Sequence, residues 1–213
     1  MRIFAAAAPP FMKNGYLVAA DGQPEAVLID PGDEVGDLVA MAVRERLAVG
    51  AILLTHAHLD HITGVRAARQ AFAGARTWLH EDDEPLYQAV VQQGEMFGLR
   101  VEAQPPVDSH YAPGQRMEFG PLRVAVHPTP GHSPGGVCLE ISDQTDTQLF
   151  VGDTLFAGSI GRTDLPGGDH ERLIQSIRRV LFAFPDPTPV RPGHGSATTI
   201  GQERRANPFL RDP

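Results

Sequence analysis

Three histidines and one aspartate fall within six residues in Thr55-His56-Ala57-His58-Leu59-Asp60-His61. The segment directly follows Ala51-Ile52-Leu53-Leu54, a compact apolar run that reads as a buried strand. In extended backbone, residues two apart point to one side, so His56 and His58 can offer two imidazole nitrogens to a single ion. Asp60 and His61 follow where the chain turns into a helix, and spacing alone leaves open which ion each serves. A lone histidine is more often a hydrogen-bonded or surface residue than a ligand. Nitrogen and carboxylate donors at this density, by contrast, are unfavourable to gather without a cation, and they suit Zn, Fe and Mn alike.

More donors must come from elsewhere, and setting nominates three. His132 sits in Thr129-Pro130-Gly131-His132-Ser133-Pro134-Gly135-Gly136, Asp153 follows Leu149-Phe150-Val151-Gly152, and His194 sits in Pro192-Gly193-His194-Gly195. Polar residues at strand ends beside glycines fit a site assembled on loops over a rigid sheet. Taken singly, each reads equally well as a turn residue.

Those loops need elements to hold them. Met1 to Ala8 reads as a first strand, followed by strands at Tyr16 to Ala20 and Ala26 to Ile29, the turn Asp30-Pro31-Gly32, and a helix from Asp37 to Leu47. His61 to Phe72 is expected to continue as one helix despite Gly64, and Thr77-Trp78-Leu79 as a strand. The acidic run Glu81-Asp82-Asp83-Glu84 reads as a solvated helix start, where negative charge favours the macrodipole. Short strands joined by Pro- and Gly-rich turns follow at 116–119, 122–127, 136–141 and 148–151. A glycine-bearing loop covers 157–168, a helix 171–182, a last strand 188–191, and a short helix begins after Thr199. Two halves that each supply strands and helices imply a mixed α/β fold, sheets packed together with helices outside.

Composition sets the bounds. With 213 residues, 42% hydrophobic and 21% charged, the chain has the usage of a globular domain rather than a disordered or fibrous one. A net charge of -8 without a basic run argues against a nucleic-acid partner. No apolar stretch approaches the roughly 18 residues of a membrane span. The opening apolar run is cut off by Pro9-Pro10 before it reaches signal-peptide length. A cytoplasmic location without a membrane partner is the expectation. The lone cysteine, Cys138, reads as a buried inert thiol.

His56-x-His58-x-Asp60-His61, then Gly131-His132, Gly152-Asp153 and Gly193-His194 in this order, with Asp30-Pro31-Gly32 ahead of them, resembles the metallo-β-lactamase superfamily. The resemblance implies an αββα sandwich, one domain over 1–213, holding two divalent metal ions, with zinc expected and iron or manganese as alternatives. It implies that His56, His58 and His132 bind one ion and Asp60, His61 and His194 the other. Asp153 would bridge the two, and Asp30 would hydrogen-bond a ligand histidine. Within the superfamily, the segments 152–164 and 199–210 look like the glyoxalase II group, most like its short bacterial members. The C-terminal helical domain with which longer members grip glutathione is then expected to be missing.

The implied activity is hydrolysis of a small-molecule acyl thioester such as S-lactoylglutathione, with Asp60 orienting the water and moving a proton. Arg162 is a candidate for holding a substrate carboxylate, although an ion pair with Asp164 competes for it. Asn14 and Tyr16 are expected in core or turn positions. His80, His110, His127 and His170 match no ligand position. A persulfide dioxygenase with a single iron, which would share a Gly161-Arg162-Thr163-Asp164-like segment, is the competing reading, and a lactonase a further one. A β-lactamase is disfavoured because Asp153 stands where many zinc lactamases use cysteine.

Overall fold

The computed structural model of the chain describes residues 1–112 and 114–211, so Asp212 and Pro213, at the end of the expected 1–213 domain, lie outside the described residues. The chain opens with β1 (Arg2–Ala8), β2 (Lys13–Ala19), β3 (Glu25–Ile29), α1 (Val35–Glu45) and β4 (Ala48–Leu53). It continues through α2 (Leu59–Ile62), α3 (Val65–Ala71), β5 (Arg76–Leu79), α4 (Glu84–Gln88), α5 (Val90–Met96) and β6 (Ser109–His110). The second half comprises β7 (Arg116–Phe119), β8 (Leu122–Pro128), β9 (Val137–Ser142), β10 (Thr147–Gly152), β11 (Leu155–Phe156) and β12 (Ser159–Ile160). It closes with α6 (His170–Arg179), β13 (Pro189–Pro192), β14 (Thr198–Thr199) and α7 (Ile200–Ala206).

The strands form two six-stranded sheets, ordered β1-β2-β3-β4-β5-β6 and β14-β13-β10-β9-β8-β7, with β11 and β12 as a separate hairpin. Alternation along each strand divides its side chains between two environments. In β2, Leu17 and Ala19 pack beneath the helices, with Leu38 of α1 and Ile62 of α2, whereas Tyr16 and Val18 face the opposite sheet. In β10, Phe150 points between the sheets, whereas Leu149 and Val151 join Leu173 and Ile177 of α6. Three apolar layers therefore separate four structural layers, the αββα sandwich.

Strand direction decides where the chemistry collects. β3, β4, β5 and β6 run parallel, so the loops after β3, β4 and β5 leave the same edge of the first sheet. In the second sheet β8 and β10 are both antiparallel to β9, and β13 is parallel to β10, so the loops after these three share one edge as well. The two edges are stitched together by Val137 N–H donating to Thr55 O at 2.8 Å and Asn14 N–H donating to Gly193 O at 2.6 Å.

Two expectations need correction. The helix over 61–72 is two helices, α2 and α3, broken at Thr63-Gly64. Gly64 presses on the Asp30-Pro31-Gly32 turn, donating its N–H to Pro31 O at 2.9 Å, and a Cβ there would overlap Gly32 O. The helix over 171–182 ends at Arg179 and continues as a 3₁₀ turn, Leu181–Ala183. The hairpin β11-β12 and the short strands β6 and β14 lie in stretches too brief for periodicity to reveal.

Candidate metal centre

The His56–His61 loop is fixed from below by Asp30. That residue adopts a left-handed φ of 46°, which aspartate tolerates better than most side chains. Its Oδ1 accepts from Thr55 N–H at 2.7 Å, and its Oδ2 accepts from Thr55 Oγ1 at 2.6 Å and lies 2.9 Å from His61 Nδ1. Holding Nδ1 leaves His61 Nε2 to face outward. The backbone of Asp30 is held in turn by Lys13, the only lysine of the chain, which donates to Asp30 O and forms a buried ion pair with Glu34 at 2.6 Å.

Seven side chains predicted from sequence converge above this base. His56, His58 and His132 present donor atoms within 4.8 Å of one another, and Asp60, His61 and His194 do the same. His58 Nδ1 and His132 Nε2 stand 2.8 Å apart. Asp153 lies between the two groups: Oδ1 is 3.4 Å from His61 Nε2, and Oδ2 is 3.6 Å and 3.5 Å from the Nε2 atoms of His132 and His194. Asp30, His56 and His61 also fall within ligand range of one another, but the hydrogen bonds of Asp30 to Thr55 and His61 commit it to orienting rather than ligating.

The donor set fits a cation on its own terms. His56 Nε2, His58 Nε2, His61 Nε2 and Asp153 Oδ1 are buried without a hydrogen-bond partner. Buried polar atoms are seldom left unsatisfied, and clustered lone pairs around a shared point are what a divalent ion supplies a partner for. Burial, reinforced by neighbouring histidines, pushes His58 down to about 3 and His56 well below the usual imidazole range. Both rings are thus neutral, the form that ligates. Burial also works against charge on His61, yet the carboxylates of Asp60, Asp153 and Asp30 raise it to about 10. Burial opposes ionisation of Asp60 and Asp153 too, but His61 and His194 hold both carboxyls below their ordinary value.

Several positioning residues escaped the sequence reading. Asp83, expected in a solvated acidic cap, is fully buried, and its carboxylate accepts from Ala57 N–H at 3.0 Å, Ser133 Oγ at 2.8 Å and Gly135 N–H at 2.6 Å. It thereby ties the His56–His61 loop to the His132 loop. Burial lifts its carboxyl above the usual range even against those hydrogen bonds. Gln93 straddles His58, donating to Ala57 O at 3.0 Å and accepting from Leu59 N–H at 2.9 Å. Arg162 contributes through its carbonyl, 2.7 Å from His132 Nδ1. Gly152, at a φ of 50°, and Gly193 are needed for close approach, since a Cβ would strike Thr55 Oγ1 at the first and Asp153 Oδ1 at the second.

The remaining expectations can be placed. The Arg162 guanidinium is engaged by Asp164 through two hydrogen bonds of 2.7 Å. Asn14 and Tyr16 brace the His194 loop, both donating to Pro192 O. His80 accepts from Asp82 N–H, His110 pairs with Glu84 and His127 with Glu140, all away from the donor cluster. Cys138 is buried, and burial drives its thiol upward. No helix among the described residues is long and apolar enough to cross a membrane.

A cavity of about 400 Å³ opens beside the cluster, lined by His58, Asp60, His132, Asp153 and His194 together with largely apolar walls.

An αββα sandwich with histidine and aspartate donors gathered on one loop-bearing edge is the architecture of a metallohydrolase. The chain belongs to the metallo-β-lactamase superfamily, whose family model matches residues 8–194. It is 38% identical over 202 residues to the hydroxyacylglutathione hydrolase GloC of Haemophilus influenzae, covering 94% of this chain and 93% of that protein. Among solved structures it is similar to the BLEG-1 B3 metallo-β-lactamase, at 38% identity and a TM-score of 0.90, covering 99% of this chain and 100% of the other. A di-iron-bound form of TTHA1623 is similar at 42% identity and a TM-score of 0.86, covering 97% and 100%.

Proposed function

We propose that this metallohydrolase is a thioesterase of the glyoxalase II type, converting S-lactoylglutathione or a related acyl thioester to acid and thiol in the cytoplasm. The observation that carries the hydrolytic reading is the convergence of four unpartnered buried donor atoms, two of them on residues that line an open cavity, His58 and Asp153. The choice of a thioester is supported by the hydroxyacylglutathione hydrolase relative.

In this reading His56, His58 and His132 would hold one divalent ion and Asp60, His61 and His194 a second, with Asp153 available to either. Bound divalent ions supply Lewis acidity, polarising a carbonyl and lowering the pKa of bound water from 15.7 to about 7. The protein's own residues do the rest. Asp30 and Arg162 O fix the Nδ1 side of His61 and His132, so both rings present Nε2. Asp60, held by His194 Nε2 at 3.0 Å, lines the cavity, where its carboxylate orients the attacking water and takes up its proton. Ser159 lines the same cavity, and among the described residues no hydrogen bond joins its hydroxyl to a histidine that could activate it.

The second donor group, Asp60, His61 and His194, permits a second ion without requiring it, and the di-iron form of a solved relative supports two ions over a single-iron oxygenase. The test is turnover of metal-loaded protein on S-lactoylglutathione, a β-lactam, a lactone and glutathione persulfide with an oxygen electrode. Thioester hydrolysis that chelation abolishes and metal restores is expected. Oxygen uptake with the persulfide, or turnover of the β-lactam or lactone alone, would overturn the assignment.

A further inference from the structure

We infer that the cavity selects acyl thioesters whose groups on either side of the reacting carbonyl are apolar and uncharged, over thioesters of a thiol bearing carboxylates, such as glutathione. The inference rests on the thioesterase reading and concerns which thioester that site takes.

Three phenylalanines reach the mouth from three separate segments: Phe11 from the turn between β1 and β2, Phe97 from the end of α5, and Phe156 from β11. Phe11 and Phe97 meet edge to face with centroids 5.5 Å apart, and Phe156 stands edge-on to His194 at 6.1 Å. Leu59, Ile160 and Leu165 complete the wall. Phe97 is 48% exposed, a large ring left open to solvent at the rim of the donor cluster. A single exposed apolar residue means little, but a contiguous apolar patch bordering a reactive centre marks a surface that a ligand covers. Aromatic rings from distinct segments give such a ligand rigid faces to pack on.

Charge points the same way. Among the described residues lining the cavity, Arg162 is the only lysine or arginine. Its fork is already closed on Asp164, a bidentate pair with both partners exposed, 57% and 68%. The lone lysine, Lys13, is buried against Glu34 on the far side of Asp30. Carboxylates on the thiol find no free lysine or arginine on this wall, and contact with its phenylalanine and leucine side chains would cost them hydration without a compensating cation. An uncharged thiol avoids the larger cost of desolvating a charge, and an apolar acyl group gains contact with the wall.

Four substrates separate the possibilities: lactoyl and phenylacetyl groups, each carried on glutathione and on the neutral thiol N-acetylcysteamine, presented to metal-loaded protein. For each acyl group, kcat/KM is expected to be higher on N-acetylcysteamine than on glutathione. Phenylacetyl-N-acetylcysteamine is expected to exceed S-lactoylglutathione by about tenfold or more, the scale on which apolar pockets discriminate. Phe97→Ser should lower kcat/KM for the phenylacetyl substrate by about tenfold, mainly through KM, and Phe97→Leu should restore most of it. Because Phe97 is half exposed, circular dichroism should show both variants folded. Glutathione thioesters hydrolysed as well as or better than their N-acetylcysteamine counterparts, or a Phe97→Ser variant as active as wild type on the phenylacetyl substrate, would overturn this inference and leave the thioesterase reading standing. No hydrolysis of any of the four would instead overturn the thioesterase reading.

Discussion

Asp153→Ala is expected to lower kcat/KM for thioester hydrolysis by about 10³-fold or more, corresponding to the several kcal/mol that metal-assisted charge stabilisation supplies. The reasoning is geometric. Asp153 is the one side chain that stands between both donor groups, with one oxygen toward His61 and the other toward His132 and His194. Apart from the cluster that His56 and His61 form with the hydrogen-bonded Asp30, each of the other candidate ligands belongs to a single group. Removing it separates the two halves of the site and leaves His61 Nε2, already without a hydrogen-bond partner, facing an empty corner. The residue follows β10 in a turn secured by backbone bonds, Thr154 N–H to Val151 O at 3.1 Å and Gly193 N–H to Gly152 O at 2.8 Å, so the loop itself does not depend on the carboxylate. Far-ultraviolet circular dichroism should therefore be unchanged while turnover and bound metal fall together. A variant retaining activity within tenfold of wild type would remove Asp153 from the centre.

Asp83→Ala is expected to destabilise the fold by about 3–5 kcal/mol, because three buried donors lose their acceptor at once and each orphaned donor costs roughly 1–3 kcal/mol. For a domain of this size that is a fall in Tm of roughly 6–20 °C. The same substitution should weaken metal retention by about 10- to 100-fold, the scale typical of residues that orient ligands, since Ala57 N–H and Gly135 N–H are the points at which two ligand loops are joined. Asp82→Ala is the control. Its side chain is 55% exposed, and loss of a solvated carboxylate there should move stability by no more than about 0.5 kcal/mol. Equal melting temperatures for the two variants would show that the acidic run is the solvated cap its composition suggests.

That pair of residues illustrates what the sequence made legible and what it did not. His56, His58, Asp60 and His61 announce themselves because four donors crowded after an apolar strand have few structural uses, whereas glycine-flanked strand ends only nominate His132, Asp153 and His194, which the resemblance to a known family singles out from ordinary turn residues. The sheets packed together with helices outside were readable from strand and helix signals in both halves, but not which face of a strand meets which layer: Tyr16-Leu17-Val18-Ala19 in β2 is apolar throughout because both of its faces are buried. Asp83 was hidden because nothing local distinguishes it from Asp82. Its partners lie 26, 50 and 52 residues away, and only the parallel run of β4 and β5 brings its loop beside the metal loop. Gln93 and Lys13 were hidden for the same reason, acting through backbone groups of distant segments. Gly64 misled in the opposite direction: the apolar spacing over 61–72 is helical, but the close approach of the Asp30-Pro31-Gly32 turn breaks the helix there.

In the proposed function these seven side chains would form a centre for two divalent ions. Metal quantitation on freshly purified protein, reported per chain alongside thioesterase activity, tests it directly. Close to two equivalents of divalent metal per chain are expected, lost with activity on chelation and regained with it. One equivalent of iron accompanied by oxygen consumption, or activity undiminished in protein stripped of metal, would contradict it.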